Sequence, residues 1–185
     1  QQNFAAFGGG DINAEAGGAI SRASFSSPTT GYYDLPTQRE VHVGKGNLSV
    51  HADGNINSGV FFVGDGTGKI TTDQALSDSG RAAGGVPFGN VFAEMGGSLS
   101  ARARTRIVSS MVVNPTIINT IESLREPYFF TYADTSALEL VSLGGDIIFS
   151  SAGIASVNGI FGSTFTNVFS YILPGTLHVV ANSGD

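Results

Sequence analysis

Apolar and polar residues alternate in several short stretches of the chain, and glycine recurs at fixed places in each stretch. The clearest stretches are GDINAEAGGAI (10–20) and GNLSVHADGNI (46–56). Both follow the order Gly, any, Ile/Leu, any, Ala/Val, any, Ala, any, Gly, any, Ile. The stretch GSLSARARTRI (97–107) matches except at the second glycine, where Thr105 stands. Looser or partial copies begin at three further glycines: Gly68, Gly145 and Gly175. The chain is therefore a degenerate repeat, and repeats constrain the fold more than single motifs do.

Strict alternation is the period of a β-strand that buries one face and exposes the other. The inward places take Ile/Leu, Ala/Val and Ala, and the glycines mark corners that need unusual backbone geometry or close approach. Small inward residues suit stacked turns with a narrow interior. The pattern predicts an all-β fold, a right-handed parallel β-helix (solenoid) in which each coil pairs with its neighbours. A β-sandwich is the rival architecture, but the shared corners differ from the Asn-Gly dipeptides of two-residue hairpins.

The copies are unevenly spaced, so some coils must carry insertions of loop or short helix. We predict a single β-helical segment, 1–185, that is a fragment of a much longer exoprotein. Thr120 could cap a short helix that ends at Pro127, because proline cannot continue a helix. The insertions are expected in four stretches: near 21–40, 73–86, 114–127 and 156–174.

Composition narrows the choice of partners. Charged residues make up 13 % of the chain, against about 25 % in typical proteins, and the net charge is −6. Nucleic-acid binding needs clustered Lys and Arg, so nucleic acid is not expected as a partner. Arg102, Arg104 and Arg106 alternate and predict one exposed row on a strand. The chain has no cysteine, which excludes disulfides and thiolate metal sites. Polar residues interrupt the uncharged run 147–173, which therefore does not predict a membrane span.

Four runs resemble a known family in their order along the chain: GVFFVGDGTGKI (59–70), VVNPTIIN (112–119), YFFTYADTSALELVSLGGDI (128–147) and LPGTLHVVANSGD (173–185). They resemble a region of unknown function in filamentous-haemagglutinin-like exoproteins of two-partner secretion. The resemblance implies a right-handed β-helical shaft, export through a dedicated outer-membrane transporter, and roles in adhesion or contact. It also implies a secreted or bacterial cell-surface location. It supplies no catalytic residues.

Two motifs invite a chemical interpretation that their residues do not support. The run GDGTGK (64–69) resembles a phosphate loop, but Val63 and Ile70 occupy places that a P-loop fills with Gly and with Ser/Thr. A glycine-rich corner is the better interpretation. His51 and Asp53 could form an outward pair, but no third ligand is evident in the sequence. No metal site and no cofactor are predicted.

Aromatic residues and scattered acids leave two further possibilities. The aromatics are the candidate surface-binding residues, which could stack on a glycan, although packing in the core is the alternative: Tyr32, Tyr33, Tyr128, Phe130 and Tyr132. Glycoside cleavage needs two carboxylates roughly 5–10 Å apart. Glu15 and Asp53 lie two places apart in the repeat, so they are the pair to test for a carbohydrate-active β-helix enzyme, either a polysaccharide lyase or a hydrolase.

The sequence favours a non-enzymatic structural or adhesive segment of a large secreted or cell-surface exoprotein that mediates attachment or cell contact. The alternatives are the carbohydrate-active enzyme and a self-associating extracellular filament subunit. The expected partners are further β-helical coils of the same polypeptide or copies of itself, because uncovered strand edges pair with other chains. The outer-membrane transporter is expected as a partner during export, and a host or bacterial surface glycan or protein is a further candidate.

Overall fold

The computed structural model describes residues 2–78, 89–114, 132–149 and 173–183, and the regular elements within these ranges are β-strands. The strands are β1 (Gln2–Ala5), β2 (Ile12–Ala16), β3 (Ile20–Ser21), β4 (Ala23–Ser27), β5 (Thr30–Asp34), β6 (Arg39–Gly44), β7 (Leu48–Ala52), β8 (Ile56–Asn57), β9 (Val60–Val63), β10 (Thr67–Thr72), β11 (Leu76–Ser77), β12 (Asn90–Glu94), β13 (Ser98–Ala103), β14 (Ile107–Val113), β15 (Ala137–Ser142), β16 (Ile147–Phe149) and β17 (Thr176–Ala181). In the same ranges, no helix is long and apolar enough to cross a membrane.

Six of the strands form a parallel sheet in the order β17-β15-β13-β10-β7-β2, which we call the repeat sheet. Its strands pair in register, so that three inward rows run across it. The first row contains Ile12, Leu48, Gly68, Leu99, Leu138 and Leu177. The second contains Ala14, Val50, Ile70, Ala101, Leu140 and Val179. These rows are the Ile/Leu and Ala/Val places of the repeat.

The register corrects two starting points of the repeat. Gly68 pairs with Leu48 and so stands in the Ile/Leu place. The third copy therefore begins two residues earlier, at Gly66. The fifth strand of the repeat sheet is β15, where Ser136 precedes Ala137 in the place of the corner glycine. Gly145 does not begin that strand.

Glycine is required at the corners because successive backbones touch there. A Cβ atom on Gly66 would lie 1.9 Å from the carbonyl oxygen of Gly46. A Cβ atom on Gly97 would lie 2.1 Å from the carbonyl oxygen of Gly66, and one on Gly46 would lie 2.1 Å from that of Gly10. Contacts below about 3 Å are not seen for real Cβ atoms. The corner glycines therefore form a stack that no other residue can replace without moving the backbone.

The second sheet has nine strands and is curled. Its main path runs β1-β4-β9-β12-β14-β11-β8-β3, and β16 also pairs with β14. All pairs along this curled sheet are parallel. Ile107 at the start of β14 pairs with Leu76, whereas the rest of β14 pairs with β12 through a register shift at Asn90. The long strand β14 thus joins two sets of strands into one sheet.

A buried asparagine holds the two sets of strands together. The Asn90 amide nitrogen donates to the carbonyl oxygens of Ser77 and Val108, at 3.2 and 3.1 Å. Its Oδ1 accepts from the Gly59 backbone nitrogen at 2.9 Å. Asn90 is fully buried. One side chain therefore ties β11, β14 and the residues before β9 at the bend of the curled sheet.

The predicted right-handed parallel β-helix is wrong as a description of this fold. A regular β-helix gives each face its own sheet, with strand order rising along the chain. Here the order in the curled sheet runs out from β1 to β14 and then returns to β3. The structure is all-β with parallel sheets, one of them curled like half a barrel. Alternation and glycine corners specify a half-buried strand and its parallel neighbours. They do not specify the order in which the other strands join to form the curled sheet.

The core lies between the repeat sheet and the curled sheet. The inward rows meet a stack of phenylalanines from the curled sheet. Ring centroids of Phe4 and Phe25 lie 5.3 Å apart, those of Phe25 and Phe61 lie 6.0 Å apart, and those of Phe61 and Phe92 lie 5.9 Å apart. The stacked rings follow the register of β1, β4, β9 and β12.

Strands β5 and β6 form an antiparallel hairpin, which is a separate two-stranded sheet. β5 and the start of β6 lie in the predicted insertion near 21–40, which also contains β4, and β6 continues to Gly44. His42 Nδ1 lies 2.7 Å from Asp65 Oδ2 and links the hairpin to the turn after β9. The predicted insertion 73–86 contains β11, and its part beyond residue 78 lies outside the described residues. The insertions 114–127 and 156–174 lie outside them almost entirely.

Candidate functional site

The two outer strands of the repeat sheet expose the same places that its central strands bury. In the second row, Val50 is 1 % exposed and both Ala101 and Leu140 are fully buried, but Val179 on β17 is 40 % exposed. Leu177 of the first row is also 40 % exposed. At the opposite edge, Ile12 and Ala14 on β2 are partly buried. The inward rows thus continue to both edges and remain uncovered there.

An open cavity of about 680 Å³ lies beside β2. Its apolar lining comes from the inward side chains of the first strands: Phe4, Ile12, Ala14, Ala16, Ile20 and Phe25. Small-molecule pockets are usually closed clefts with a few converging polar groups. This cavity is instead the uncovered end of the core, bounded by β1, β2 and β3.

The stacked phenylalanines end in the same cavity. Phe4 is 47 % exposed, whereas Phe61 and Phe92 within the stack are fully buried. At the far end of the core, Ile148 and Phe149 on β16 are 42 % and 38 % exposed. Both ends of the core therefore present apolar side chains beside strand edges that no other described strand pairs with, and unpaired edges are templates for further strands.

The outward face of the repeat sheet carries a Ser–Glu–His cluster. The Ser100 hydroxyl donates to Glu139 Oε2 at 2.7 Å, and His178 Nδ1 lies 3.1 Å from Glu139 Oε1. The Ser100 hydrogen bond, followed by the one from His178, lowers the pKa of Glu139. The serine donates to the carboxylate rather than to the histidine, so this arrangement does not activate a nucleophile in the manner of a Ser–His pair.

A second outward cluster joins β7 and β10. His51 Nε2 lies 3.2 Å from Asp53 Oδ1, and His51 Nδ1 lies 2.9 Å from Thr71 Oγ1. Asp73 completes a group whose potential ligand atoms all lie within 4.8 Å of one another. The pair of His51 and Asp53 is evident in the sequence, but Asp73 is not recognisable there as a third ligand. The register of β7 and β10 identifies Asp73 as the third member. Ala52 pairs with Thr72, so Asp53 and Asp73, which follow them directly, lie side by side.

Of the two acids that the sequence offers as a glycosidase pair, Asp53 belongs to this second cluster and Glu15 lies beside it. Glu15 is the register partner of His51 on β2, and Asp53 lies two residues beyond His51 on the same outward side. Glu15 is exposed, and the Asp53 side chain is 59 % exposed. The pair therefore lies on an open strand face.

A buried carboxyl group lies at the end of β12. Glu94 is 1 % exposed, and neither of its oxygens has a hydrogen-bond partner among the described residues. Burial raises the pKa of Glu94 to about 8, and the Leu99 backbone amide, although it does not meet hydrogen-bond geometry, opposes this shift in part. Burial, followed by the negative charge of Glu94, raises the pKa of Tyr132. Glu94 is unusual among buried acids, which are normally paired.

The predicted aromatic surface is not assembled within the described residues. Tyr32 on β5 is 57 % exposed on the hairpin. Tyr33 lies on the same strand. Tyr132 is partly buried before β15 and lies near Glu94. Tyr128 and Phe130 lie outside the described residues. The binding role of these five residues stays a prediction.

No protein-family model, no curated protein and no solved structure matches the chain.

Proposed function

We propose that the chain is a non-enzymatic structural segment whose two open sheet edges pair head to tail with parallel strands of a second copy. The proposal includes the setting that the sequence resemblance implies, a large secreted or cell-surface exoprotein that mediates attachment. In this proposal the exposed inward rows form the surface through which copies associate, and the outward side chains lie on the opposite face of the sheet.

The continuation of the inward rows to both edges carries the proposal. A strand added beside β17 would meet Leu177 and Val179, and a strand added beside β2 would meet Ile12 and Ala14. The central strands already show such a pair, because Leu138 and Leu140 lie beside Leu99 and Ala101 with almost no exposure. Placing β17 of one copy beside β2 of another would repeat this arrangement.

Several properties support this partner over an unrelated one. Both edges belong to one parallel sheet and face opposite directions, so a head-to-tail contact can repeat without closing, which generates filaments. Full burial of a large aliphatic side chain contributes about 1.5–3 kcal/mol. The free side of β17 also offers backbone N–H and C=O groups to an added strand. The opposite side of β17 already pairs with β15 in this way.

Sedimentation velocity of the purified chain over a wide range of concentrations tests the proposal. We expect the average mass to rise with concentration. Val179→Lys places a charge on the inward side of β17 and should abolish association. Thr176→Lys is the matched control, because Thr176 lies on the same strand at an exposed outward place.

A chain that stays monomeric at all concentrations would contradict the proposal. Equal association of the Val179→Lys and Thr176→Lys variants would contradict it as well, because the contact would then not involve the inward side of β17. Circular dichroism of both variants establishes that the fold is retained.

A further inference from the structure

The cluster of His51, Asp53 and Asp73 has the composition and spacing of a metal-binding site. It offers one imidazole nitrogen and two carboxylates from two adjacent parallel strands. Zinc binds such ligands at about 2.0–2.2 Å, which places them roughly 3–3.5 Å apart around a tetrahedral ion. The His51 to Asp53 separation is already 3.2 Å, and the whole group lies within 4.8 Å. Asp53 and Asp73 are exposed, so their side chains have room to rotate toward a common ion.

The Thr71 hydroxyl beside the other imidazole nitrogen can hold the tautomer of His51 that a metal ion requires. When Nδ1–H of His51 donates to Thr71 Oγ1, the lone pair of Nε2 faces Asp53 Oδ1 at 3.2 Å. Two acceptors at this distance repel each other, so this tautomer needs a cation between them; in the other tautomer Nε2–H donates to Asp53 and the Thr71 hydroxyl donates to Nδ1. In metal sites, a histidine ligand typically donates its second N–H to a neighbouring polar group, which fixes the ring. Thr71 occupies that position.

The charges around the cluster are also favourable to a cation. Glu15 lies beside His51 on β2 and adds a third carboxylate. Arg102 is the register partner of Thr71 on the other side, and Arg104 lies just beyond the end of that strand. Neither arginine forms a salt bridge with Asp73 among the described residues. Three carboxylates thus lie near one imidazole, with Arg102 on the neighbouring strand and Arg104 just after it.

We propose that His51, Asp53 and Asp73 bind a divalent transition-metal ion of the zinc class on the outward face of the repeat sheet. One nitrogen and two oxygen ligands suit Zn²⁺ better than Ca²⁺, which takes six to eight oxygen ligands. Three protein ligands leave at least one position for water. Thr71 is the positioning residue that orients the imidazole. The bound ion would link β7 to β10 from outside, independently of the edge contacts in the proposed function.

Isothermal titration calorimetry with Zn²⁺ on the untagged chain, previously treated with a chelator, tests the site. We expect one equivalent to bind. His51→Gln, Asp53→Asn and Asp73→Asn should each weaken binding at least about 10-fold, and Thr71→Val should weaken it by roughly 10-fold. His178→Gln is the matched control. It removes another exposed His–carboxylate pair, in which His178 and Glu139 come together without a third ligand.

Binding that is weakened by all three ligand substitutions and unchanged by His178→Gln supports the site. Absence of Zn²⁺ binding, binding that survives Asp73→Asn, or equal weakening by His178→Gln would overturn it. A second measurement uses the unaltered chain: excess Zn²⁺ should raise its melting temperature, and a chelator should reverse the rise. An unchanged melting temperature would count against the site even if a ligand variant failed to fold.

Discussion

The repeat sheet and the curled sheet enclose one core but are held together by different means. In the repeat sheet, small and aliphatic side chains form even rows, and stacked corner glycines let successive backbones touch. The curled sheet instead relies on large stacked rings and on buried polar groups, among them Asn90 and Glu94. The difference shows that a regular pattern specifies close backbone stacking, whereas the bend of the second sheet depends on individual side chains.

Removal of one ring from the phenylalanine stack should have the largest effect on stability. Phe61 is fully buried and has stacked neighbours on both sides. We expect Phe61→Ala to lower the free energy of unfolding by about 4 kcal/mol, because it removes a large apolar contact and leaves a cavity. Urea unfolding measures the change.

Phe4→Ala is the matched control, because Phe4 ends the stack and is 47 % exposed. Its cost should be about 1 kcal/mol. Similar costs for the two variants would mean that the stack does not form the core of the curled sheet.

A methyl group at a corner of the repeat sheet should be almost as damaging. In Gly66→Ala the new Cβ would lie 1.9 Å from the Gly46 carbonyl oxygen, so the two backbones must separate. We expect a loss of about 3 kcal/mol, at the upper end of ordinary overpacking costs. Thermal or urea unfolding measures it.

The control substitution is Gly18→Ala, because a Cβ atom on Gly18 would meet no atom within 4 Å. Its effect should stay within about 0.5 kcal/mol. If Gly66→Ala were as harmless as Gly18→Ala, the close stacking of the corners would be refuted.

The buried Glu94 should make stability depend on pH in the curled sheet. Its pKa is about 8 in the folded chain and about 4.5 when exposed. Between these values the unfolded chain releases the proton while the folded chain keeps it. The free energy of unfolding therefore falls as the pH rises, by up to about 1.4 kcal/mol per pH unit for this group. Its contribution is fully present below about pH 4.5 and lost as the pH rises through about 8.

Glu94→Gln should remove this dependence. We expect the variant to match the unaltered chain near pH 4.5 and to exceed its free energy of unfolding by roughly 2 kcal/mol above pH 8, allowing for relaxation around the charge. Urea unfolding at several pH values measures the slope. Glu139→Gln is the control of opposite sign, because the pKa of Glu139 is lowered and its stabilising effect is lost as the pH falls. An unchanged slope in Glu94→Gln would show that Glu94 is not buried as described.

The alternating strands of the repeat sheet and their parallel pairing could be predicted from the sequence because the residues that determine them recur periodically. The alternation of Leu48, Val50 and Ala52 identifies a half-buried strand, and the corner glycine before it marks the close approach of the next copy. Two residues that depart from the repeat pattern displaced the predicted starts of the copies. Gly68 stands in the Ile/Leu place, so the copy that begins at Gly66 was predicted to begin two residues later. Ser136 replaces the corner glycine before β15.

The curled sheet could not be predicted in the same way. Its bend depends on Asn90, whose three hydrogen bonds join residues far apart in sequence, and no local pattern marks such a residue. The third member of the His51 cluster was missed for a related reason. Asp73 is twenty residues from Asp53, and the relation between them becomes visible once the register of β7 and β10 is known.

Mixing two variants that each block one edge tests the central claim most directly. Val179→Lys blocks the inward side of β17, and Ala14→Lys blocks that of β2. Each variant alone should be monomeric if the contact is head to tail, because every contact needs one edge of each kind. Mixed in equal amounts, the two should form a one-to-one heterodimer through the intact β2 edge of the first and the intact β17 edge of the second, and sedimentation should show a species of twice the monomer mass. Association of either variant by itself, or failure of the mixture to associate, would contradict the claim that the two open edges of the repeat sheet pair with each other.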